Sequence, residues 1–335
     1  MLERKKIFVT GGNGFIGSRV VSALVEGGYA VRCLLRETSR TSRIDALDFE
    51  KVIGDITIPE TLVPAIEGCE GIIHLASLSN WTDIHSSKMQ KVVVQGSQNV
   101  LNAAKKAGNL PVVYVSSSTA INGTRKPELL NETSTFDLNK KTYSYAYAKK
   151  RVEAFCIKAS QAGLPVVIVN PAEVYGPNDE DQITCGNLLD FAKSNPVFVC
   201  KGGTSIVHVD DVAAGILAAF EKGRPGERYF LGGENVSIKE LASKTLEILG
   251  QRKRIVTVPN GLIRFIAKAG KALSLPLPFN PEVIPYATKY WYVDNTKAKT
   301  ELGIHFRSAE EALKPALNWL VKEEFLQDML SDGPR

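Results

Sequence analysis

The sequence predicts an α/β fold, in which a doubly wound parallel sheet is followed by a smaller, mostly helical C-terminal domain. Three observations lead to this prediction. Apolar strand-like segments alternate with helical patterns up to about residue 170, a glycine-rich turn joins the first strand to the first helix, and beyond Pro171 the elements become shorter and richer in proline. Parallel neighbours in a sheet require long crossovers of this helical kind.

The strands and helices of the first half follow from hydrophobic periodicity. Short apolar, β-branched segments predict strands, and longer segments with apolar residues three or four apart predict helices. The predicted strands are 6–10, 30–35, 51–53, 71–75, 111–117 and 164–170, and the predicted long helices are 15–26, 88–107 and 143–162. Alternation in this order indicates a parallel sheet with helices on both faces.

The alternation of strands and long helices ends near residue 175, where prolines become frequent, and this change divides the chain. Two later apolar runs, Ile206–His208 and Arg228–Leu231, predict short strands that extend the first sheet. The predicted boundaries are therefore 1–175 for the first domain, with 205–232 returning to it, and 176–204 and 233–330 for the second domain.

The turn after the first strand is the most informative segment. Lys6–Thr10 leads into Gly11, Gly14 and Gly17, where an amphipathic helical pattern begins. Glycine permits a sharp turn and lets the backbone approach a pyrophosphate, while the helix N-terminus offers amide donors and partial positive charge. The strand at 30–35 completes a βαβ unit, and this context favours a dinucleotide site over a purely structural turn.

Composition and charge exclude several classes of protein. In 335 residues, hydrophobic residues make up 44% and charged residues 23%, and the net charge of +5 is too dispersed to favour nucleic acid. The five cysteines are scattered without metal-ligand spacing, so we expect free thiols and no metal site. The N-terminus carries no signal-peptide core and no stretch is long enough to cross a bilayer, so the expected location is the cytoplasm.

Residues 143–151 place a tyrosine and a lysine on one face of a helix. Tyr145 and Lys149 are four residues apart and project toward the same point. An ammonium close to a phenol is expected to lower the pKa of that phenol, which makes the pair a candidate proton-transfer device. Ser116–Ser118 follows the fifth strand, whose carboxyl end opens onto the same crevice as the glycine turn.

These motifs, in this order, resemble those of the short-chain dehydrogenase/reductase superfamily in its extended and atypical forms. Further matching segments are Gly54–Ile56, His74–Ser77, Asn170–Pro177, His208–Ala213 and Asp294–Gly303, so the resemblance covers nearly the whole chain. It implies a Rossmann fold and catalysis by Tyr145 and Lys149, with Ser118 carrying the polarising hydroxyl and Ser117 as the competing choice. The implied cofactor contacts are Gly11, Gly14, Phe15, Ile16, Gly17, Arg36, Asp55, Ile56, Leu75, Ala76, Ser77, Ser116, Lys149, Pro171 and Val174.

The end of the second strand selects between two cofactors. A carboxylate at this place would accept hydrogen bonds from the ribose of NAD and would repel the 2′-phosphate of NADP. This chain has Leu34, Leu35 and Arg36 there, and a guanidinium binds phosphate through two hydrogen bonds. NADP is therefore the preferred cofactor and NAD the alternative.

Within the superfamily, the best resemblance is to the dihydroflavonol reductase and 3β-hydroxysteroid dehydrogenase branch. It implies hydride transfer between the nicotinamide and a carbonyl or alcohol of a hydrophobic, cyclic or aromatic small molecule, with Tyr145 as proton donor.

Two other functions stay open. A nucleotide-sugar epimerase or dehydratase with tightly held NAD would use the same groups. However, Thr119–Ile121 lacks the acids of the dehydratases, Gly202–Ile206 lacks the arginine of many epimerases, and Val93 replaces an asparagine that many epimerases have. A non-catalytic dinucleotide-sensing regulator would characteristically lose the tyrosine and lysine pair, which this chain keeps.

Residues 262–273 combine apolar side chains with a basic stripe. Arg264, Lys268 and Lys271 lie on one side of the predicted helix, which can cover an apolar pocket or rest on a membrane surface. The ordinary interpretation is an amphipathic helix with its apolar side in the core. We expect no stable membrane insertion, and a monomer or a homodimer.

Overall fold

The computed structural model describes residues 4–78, 80–81, 83–277, 279–323 and 325–326. Its strands, numbered along the chain, are β1 (Lys6–Thr10), β2 (Ala30–Leu35), β3 (Glu50–Ile53), β4 (Gly71–His74), β5 (Val112–Val115), β6 (Val166–Pro171), β7 (Glu173–Tyr175), β8 (Val197–Cys200), β9 (Gly203–His208), β10 (Arg228–Leu231), β11 (Glu234–Ser237), β12 (Ile255–Val258) and β13 (Tyr290–Trp291).

The α-helices alternate with these strands in the first half and dominate the second. They are α1 (Phe15–Glu26), α2 (Leu62–Ile66), α3 (Ser87–Met89), α4 (Ser97–Lys106), α5 (Ser144–Gln161), α6 (Cys185–Lys193), α7 (Val209–Lys222), α8 (Ile238–Ile248), α9 (Asn260–Ala272), α10 (Ile284–Ala287) and α11 (Ala309–Lys322). The predicted helix 88–107 is interrupted, because Gln90–Gly96 between α3 and α4 has π-helical hydrogen bonding.

A seven-stranded parallel sheet forms the centre of the fold, in the order β10-β6-β5-β4-β1-β2-β3. The strand order reverses between β1 and β4, as in a doubly wound Rossmann sheet, so the predicted fold class is confirmed. Strand β10 pairs with β6, as expected for Arg228–Leu231. The expectation for Ile206–His208 is wrong, because β9 pairs with β7, β11 and β13 in a separate sheet while β10 occupies the edge of β6.

Alternating side chains of the sheet build two cores, one on each face. Phe8 packs into the core beneath α2, α4 and α5, whereas its neighbours Ile7 and Val9 pack into the core beneath α1 and α7. A third core joins α6, α8 and α11 through residues such as Leu188 and Leu317. The sheet is thereby covered on both faces, and its carboxyl edge stays open.

The predicted division near residue 175 stays a prediction, and its last residues, 327–330, lie outside the described residues. The five cysteines are buried and unpaired. Among the described residues, no helix is both long and apolar enough to span a bilayer.

Candidate active site

A cavity of about 1430 Å³ opens at the carboxyl ends of β1, β4, β5 and β6. Its volume exceeds the roughly 300–1,000 Å³ of an ordinary small-molecule pocket, so it has room for a dinucleotide and a second ligand. All residues that the sequence proposes for catalysis or cofactor binding line it: Gly11, Gly14, Phe15, Ile16, Gly17, Arg36, Asp55, Ile56, Leu75, Ala76, Ser77, Ser116, Ser118, Tyr145, Lys149, Pro171 and Val174.

The glycine turn has the geometry that a pyrophosphate site requires. Gly11 has a φ of +73°, and a Cβ there would lie 2.6 Å from the backbone nitrogen of Ala76. At Gly17 a Cβ would lie 2.0 Å from the carbonyl oxygen of Gly11, so this glycine lets α1 pack onto the turn. At Gly14 a Cβ would meet only that same oxygen, at 3.3 Å, and otherwise face open space. A side chain at Gly14 would therefore fill the open space in front of the glycine turn.

The first turn of α1 leaves its amide donors available to a ligand. Gly14 caps the helix without a side-chain hydrogen bond, and no acidic residue lies in the first turn. The helix dipole and free N–H groups favour an anion at this point. Ser77 lines the same cavity, and its buried hydroxyl has no partner among the described residues. These features fit a dinucleotide phosphate.

The end of the cavity that Arg36 and Asp55 line, which we call the nucleotide end, carries a free guanidinium. Arg36 follows β2, is exposed and lines the cavity, and no described residue pairs with its side chain. In contrast, the guanidinium of Arg40 donates to Asp181 at 3.3 Å. Asp55 accepts from the backbone nitrogen of Thr57 at 2.7 Å, which fixes its carboxylate in the cleft.

The tyrosine and lysine pair lies where β5 ends. The Lys149 ammonium is buried and donates to the carbonyl oxygen of Val115 at 2.8 Å, and it lies 5.9 Å from the centre of the Tyr145 ring. Burial lowers the pKa of Lys149 to about 7. Burial also raises the pKa of Tyr145 to about 12. The expectation that the Lys149 ammonium lowers the pKa of this phenol is therefore wrong for this arrangement, because Lys149 donates to a backbone carbonyl instead.

The structure distinguishes the three serines by their partners. Ser117 is the side-chain hydrogen-bond partner of Tyr145, and this hydrogen bond offsets part of the rise in pKa that burial causes. Ser118 begins a single helical turn, Ser118–Ala120, and lines the cavity beside it. The hydroxyl of Ser116 donates to a carboxylate oxygen of Glu153 at 2.7 Å, so although Ser116 lines the cavity its side chain is used within the protein.

Glu153 is a residue that the sequence analysis did not identify. Its carboxylate is fully buried and accepts from Ser116, from Asn170 at 2.6 Å and from Arg228 at 3.3 Å. Asn170 also donates to the carbonyl oxygen of Ser117 at 2.9 Å. Glu153 lies four residues beyond Lys149, on the same helical face, and this spacing was the available signal. The network fixes the serine segment relative to α5.

The far end of the cavity, which we call the substrate end, is predominantly apolar. Its lining includes Trp81, Ile84, Leu262, Ile266, Phe279, Tyr286 and Trp291. The charged side chains among the described lining residues are Arg36, Asp55, Lys149, Glu173, Asp181 and Asp190. The two cations in this set are Arg36, at the nucleotide end, and Lys149, beside Tyr145, so the described substrate end carries no cation.

Helix α9 differs from the ordinary interpretation of its sequence. Ala267 and Gly270 are its buried residues, whereas the large apolar side chains Phe265 and Leu273 are exposed. The apolar side is therefore not core, because the helix packs through its small residues.

Comparison with known proteins finds similarity along nearly the whole chain. Residues 7–232 match the model of the NAD dependent epimerase/dehydratase family. A putative dihydroflavonol 4-reductase of Synechocystis sp. is 31% identical over 96% of this chain and 96% of its own length. Sterol demethylase protein B of Methylococcus capsulatus is 30% identical, with 93% and 97% covered. A 3 beta-hydroxysteroid dehydrogenase/Delta 5-->4-isomerase of Mycobacterium tuberculosis is 26% identical, with 95% and 91% covered.

Solved structures are similar over the same extent. The crystal structure of gox2253 has a TM-score of 0.83 and 31% identity, covering 96% of this chain and 99% of that one. DesIV, a dTDP-glucose 4,6-dehydratase from Streptomyces venezuelae solved with NAD and TYD bound, has a TM-score of 0.76 and 25% identity, covering 95% and 97%.

Proposed function

The chain belongs to the NAD dependent epimerase/dehydratase family of extended short-chain dehydrogenases/reductases, and from this premise we propose that it reduces a carbonyl on a hydrophobic cyclic or aromatic molecule with NADPH. It is an NAD(P)-dependent oxidoreductase acting on CH–OH and C=O groups. The proposal concerns the substrate class, the direction of reaction, the preferred cofactor and the roles of individual residues.

The apolar substrate end is the observation that carries this proposal. Aromatic rings there, including Trp81, Tyr286 and Trp291, offer large contact areas to a flat ring system. Besides Arg36 and Lys149, the charged residues of the described lining are the acids Asp55, Glu173, Asp181 and Asp190. A nucleotide sugar carries a diphosphate, which would lie without a cationic partner against these residues. This favours a neutral, apolar ketone over a nucleotide sugar.

The catalytic roles follow from protonation state and position. Tyr145 keeps its proton at neutral pH because its pKa is raised to about 12, so it is suited to donate that proton to a carbonyl oxygen. Lys149 lies one helical turn away, with a pKa lowered to about 7, and can exchange a proton near neutral pH. We assign the hydrogen bond that polarises the carbonyl to Ser118, and the positioning of the phenol to Ser117.

NADPH supplies the hydride when it is bound. Gly11, Gly14 and Gly17 with the N-terminus of α1 would hold its pyrophosphate, and Asp55 would lie beside the adenine. Arg36 would bind the 2′-phosphate, since its guanidinium has no described partner and the residue directly after β2 is this arginine and not an acid. Pro171 and Val174 would line the nicotinamide.

Loss of NADPH absorbance against a panel of steroid, flavonoid and aryl ketones, with nucleotide sugars alongside, tests the function. We expect turnover of at least one apolar ketone, and Tyr145→Phe should lower kcat by about 100-fold or more while leaving NADPH affinity nearly unchanged. Tyr147→Phe, on the same helix but outside the cavity lining, is the matched control.

Two results would contradict the proposal. Turnover of nucleotide sugars alone would show an epimerase or dehydratase, and undiminished turnover by Tyr145→Phe would remove the tyrosine from the mechanism. Ser118→Ala and Ser117→Ala complete the series. The first should mainly lower kcat, and the second should move the pH dependence of kcat.

A further inference from the structure

Helix α9 exposes a continuous apolar surface. Leu262, Phe265, Ile266 and Leu273 follow the spacing of one helical face. Phe265 is 69% exposed and Leu273 68%, and Leu275 just beyond the helix is 55% exposed. We call these five residues the α9 apolar face. Large apolar side chains that share one exposed stripe are unusual on a protein surface and mark an interaction site.

The α9 apolar face borders the opening of the active-site cavity. Leu262 and Ile266 line the cavity, whereas Phe265, Leu273 and Leu275 are not among its lining residues and face outward. Apolar side chains therefore continue from the substrate end of the cavity to the outer surface of the helix. This continuity offers a hydrophobic molecule an apolar surface beside the opening.

The segment around this face carries concentrated positive charge. Between Glu247 and Glu282 the chain contains Arg252, Lys253, Arg254, Arg264, Lys268 and Lys271 and no acidic residue. These six cations exceed the net charge of the entire chain, +5, so the remaining residues are together close to neutral. Lys271 pairs with Glu282, and Arg264 donates to Thr288 at 2.8 Å, while Lys268 is exposed and has no described partner.

We propose that the α9 apolar face docks on the surface of an anionic lipid bilayer, with its apolar side chains at the acyl boundary and the flanking cations among the headgroups. Large apolar residues beside lysines and an arginine are the pattern of helices that lie in the membrane interface. Each basic residue near an anionic surface adds attraction. The docked orientation turns the cavity opening toward the lipid, from which a hydrophobic ketone can enter.

Charge also argues against a second copy of the chain as the occupant. A two-fold symmetric contact through α9 would bring Lys268 of one copy close to the same cationic segment of the other. Like charges facing each other across an interface oppose association. An anionic lipid surface offers acyl chains to the apolar stripe and negatively charged headgroups to the cations.

Flotation of the full chain with vesicles tests this proposal without cofactor or substrate. We expect co-flotation with vesicles of phosphatidylcholine and phosphatidylglycerol, weaker binding to phosphatidylcholine alone, and release in high salt. The double variant Phe265→Ser/Leu273→Ser should bind about tenfold more weakly or worse, since each large apolar side chain that enters the interface contributes strongly. Leu129→Ser, at a residue 64% exposed outside this segment, is the matched control and should bind like the unchanged chain.

Absence of the chain from the floated fraction at every lipid composition would overturn the proposal, as would equal binding by the double variant. A dimer in solution that the double variant dissociates, with no vesicle binding, would identify a second copy as the occupant and also overturn it. Because no turnover is measured, these outcomes are independent of the carbonyl reductase proposal. Circular dichroism of each variant checks that the fold is retained.

Discussion

Gly14 caps the N-terminus of α1 and Gly17 lies in its first turn, and the structure gives the two glycines different constraints. A Cβ at Gly17 would overlap the carbonyl oxygen of Gly11, at 2.0 Å, whereas at Gly14 it would lie 3.3 Å from that oxygen and otherwise project into open space. Gly17 is therefore required by the packing of α1, whereas packing does not require Gly14, for which we propose the approach of a ligand as the constraint.

Substitution at these two glycines should separate binding from folding. Gly14→Val should abolish NADPH binding in titration calorimetry and change the midpoint of thermal unfolding little. Gly17→Ala should destabilise the fold by about 1–3 kcal/mol or more, because the helix must move to accept the methyl group. A normal binding isotherm for Gly14→Val would contradict the assignment of the pyrophosphate site.

His74 is a buried histidine that stays neutral. Its ring nitrogens lie 2.6 Å from the hydroxyl of Thr10 and 2.9 Å from that of Ser97, and burial, assisted by the charge of Lys149, lowers its pKa to about 3. The unfolded chain therefore binds the proton more tightly between the two pKa values. The contribution of His74 to stability is complete above about pH 6.5 and is lost as pH falls from there toward 3.

This linkage predicts a measurable slope. The free energy of unfolding, from urea denaturation between pH 6.5 and 5, should fall by up to about 1.4 kcal/mol per pH unit more in the unchanged chain than in His74→Asn. His74→Asn is also the control for all other titrating groups, because both proteins contain those groups. Parallel slopes would show that folding does not lower the pKa of His74.

At the residue scale, every residue that the sequence proposed for the site lines the cavity, but the contacts within it were not predicted. Tyr145 and Lys149 were found from their spacing, because a helix fixes which residues share a face. Which of Ser116–Ser118 contacts the phenol of Tyr145 depends on the backbone conformation after β5. The three adjacent serines are identical in sequence, and only this conformation directs their hydroxyls to different partners. Such differences arise from tertiary contacts that a local pattern does not encode.

Helix α5 is held to the carboxyl edge of the sheet by Glu153. Ser116 follows β5, Asn170 lies in β6 and Arg228 begins β10, and all three donate to this one carboxylate. Three strands and one helix thus share a single buried acceptor. Because α5 also carries Tyr145 and Lys149, the network sets the position of these two side chains relative to the serines.

Removing this acceptor should destabilise the protein more than removing a surface acid. Glu153→Ala should lower the free energy of unfolding by about 3–5 kcal/mol, since it removes the acceptor of the largely buried Arg228 guanidinium and of the Ser116 hydroxyl and leaves Asn170 only its bond to Ser117. Glu50→Ala, which removes a half-exposed partner of Arg32 and Lys6, is the control and should cost about 1 kcal/mol or less. Equal losses in denaturant unfolding would show that the network contributes no special stability.

The elements themselves were predictable in type, and the exceptions have physical causes. Alternating apolar segments identified the strands of the first sheet up to β6, because a sheet buried on both faces requires them. For α9 the sequence showed the apolar stripe, but it did not show whether this stripe faces the core or the outside of the protein. Ala267 and Gly270 allow close packing on the other side, and small residues give no hydrophobic signal strong enough to reveal it.

At the scale of the whole molecule, the cavity joins the Rossmann sheet to the later helices. Its lining extends from Gly11 after β1 to Leu262 in α9 and Trp291 in β13. The sequence predicted the sheet side of this cavity, whereas the other side is assembled from short elements whose pairing has long sequence separation. That is also why β9 was assigned to the wrong sheet.

A ligand that fills the nucleotide end should stabilise the entire fold, and the size of this effect should report the cofactor preference. At a concentration about 100 times its Kd, a ligand adds about 2.7 kcal/mol to the free energy of unfolding. At equal concentrations, NADP⁺ should therefore raise the midpoint of thermal unfolding more than NAD⁺ does. Arg36→Ala should remove the difference, because the 2′-phosphate loses its guanidinium. Arg40→Ala is the matched control, since that guanidinium already donates to Asp181. An equal or larger shift with NAD⁺ in the unchanged chain would overturn the NADP assignment and leave the dinucleotide site itself in place.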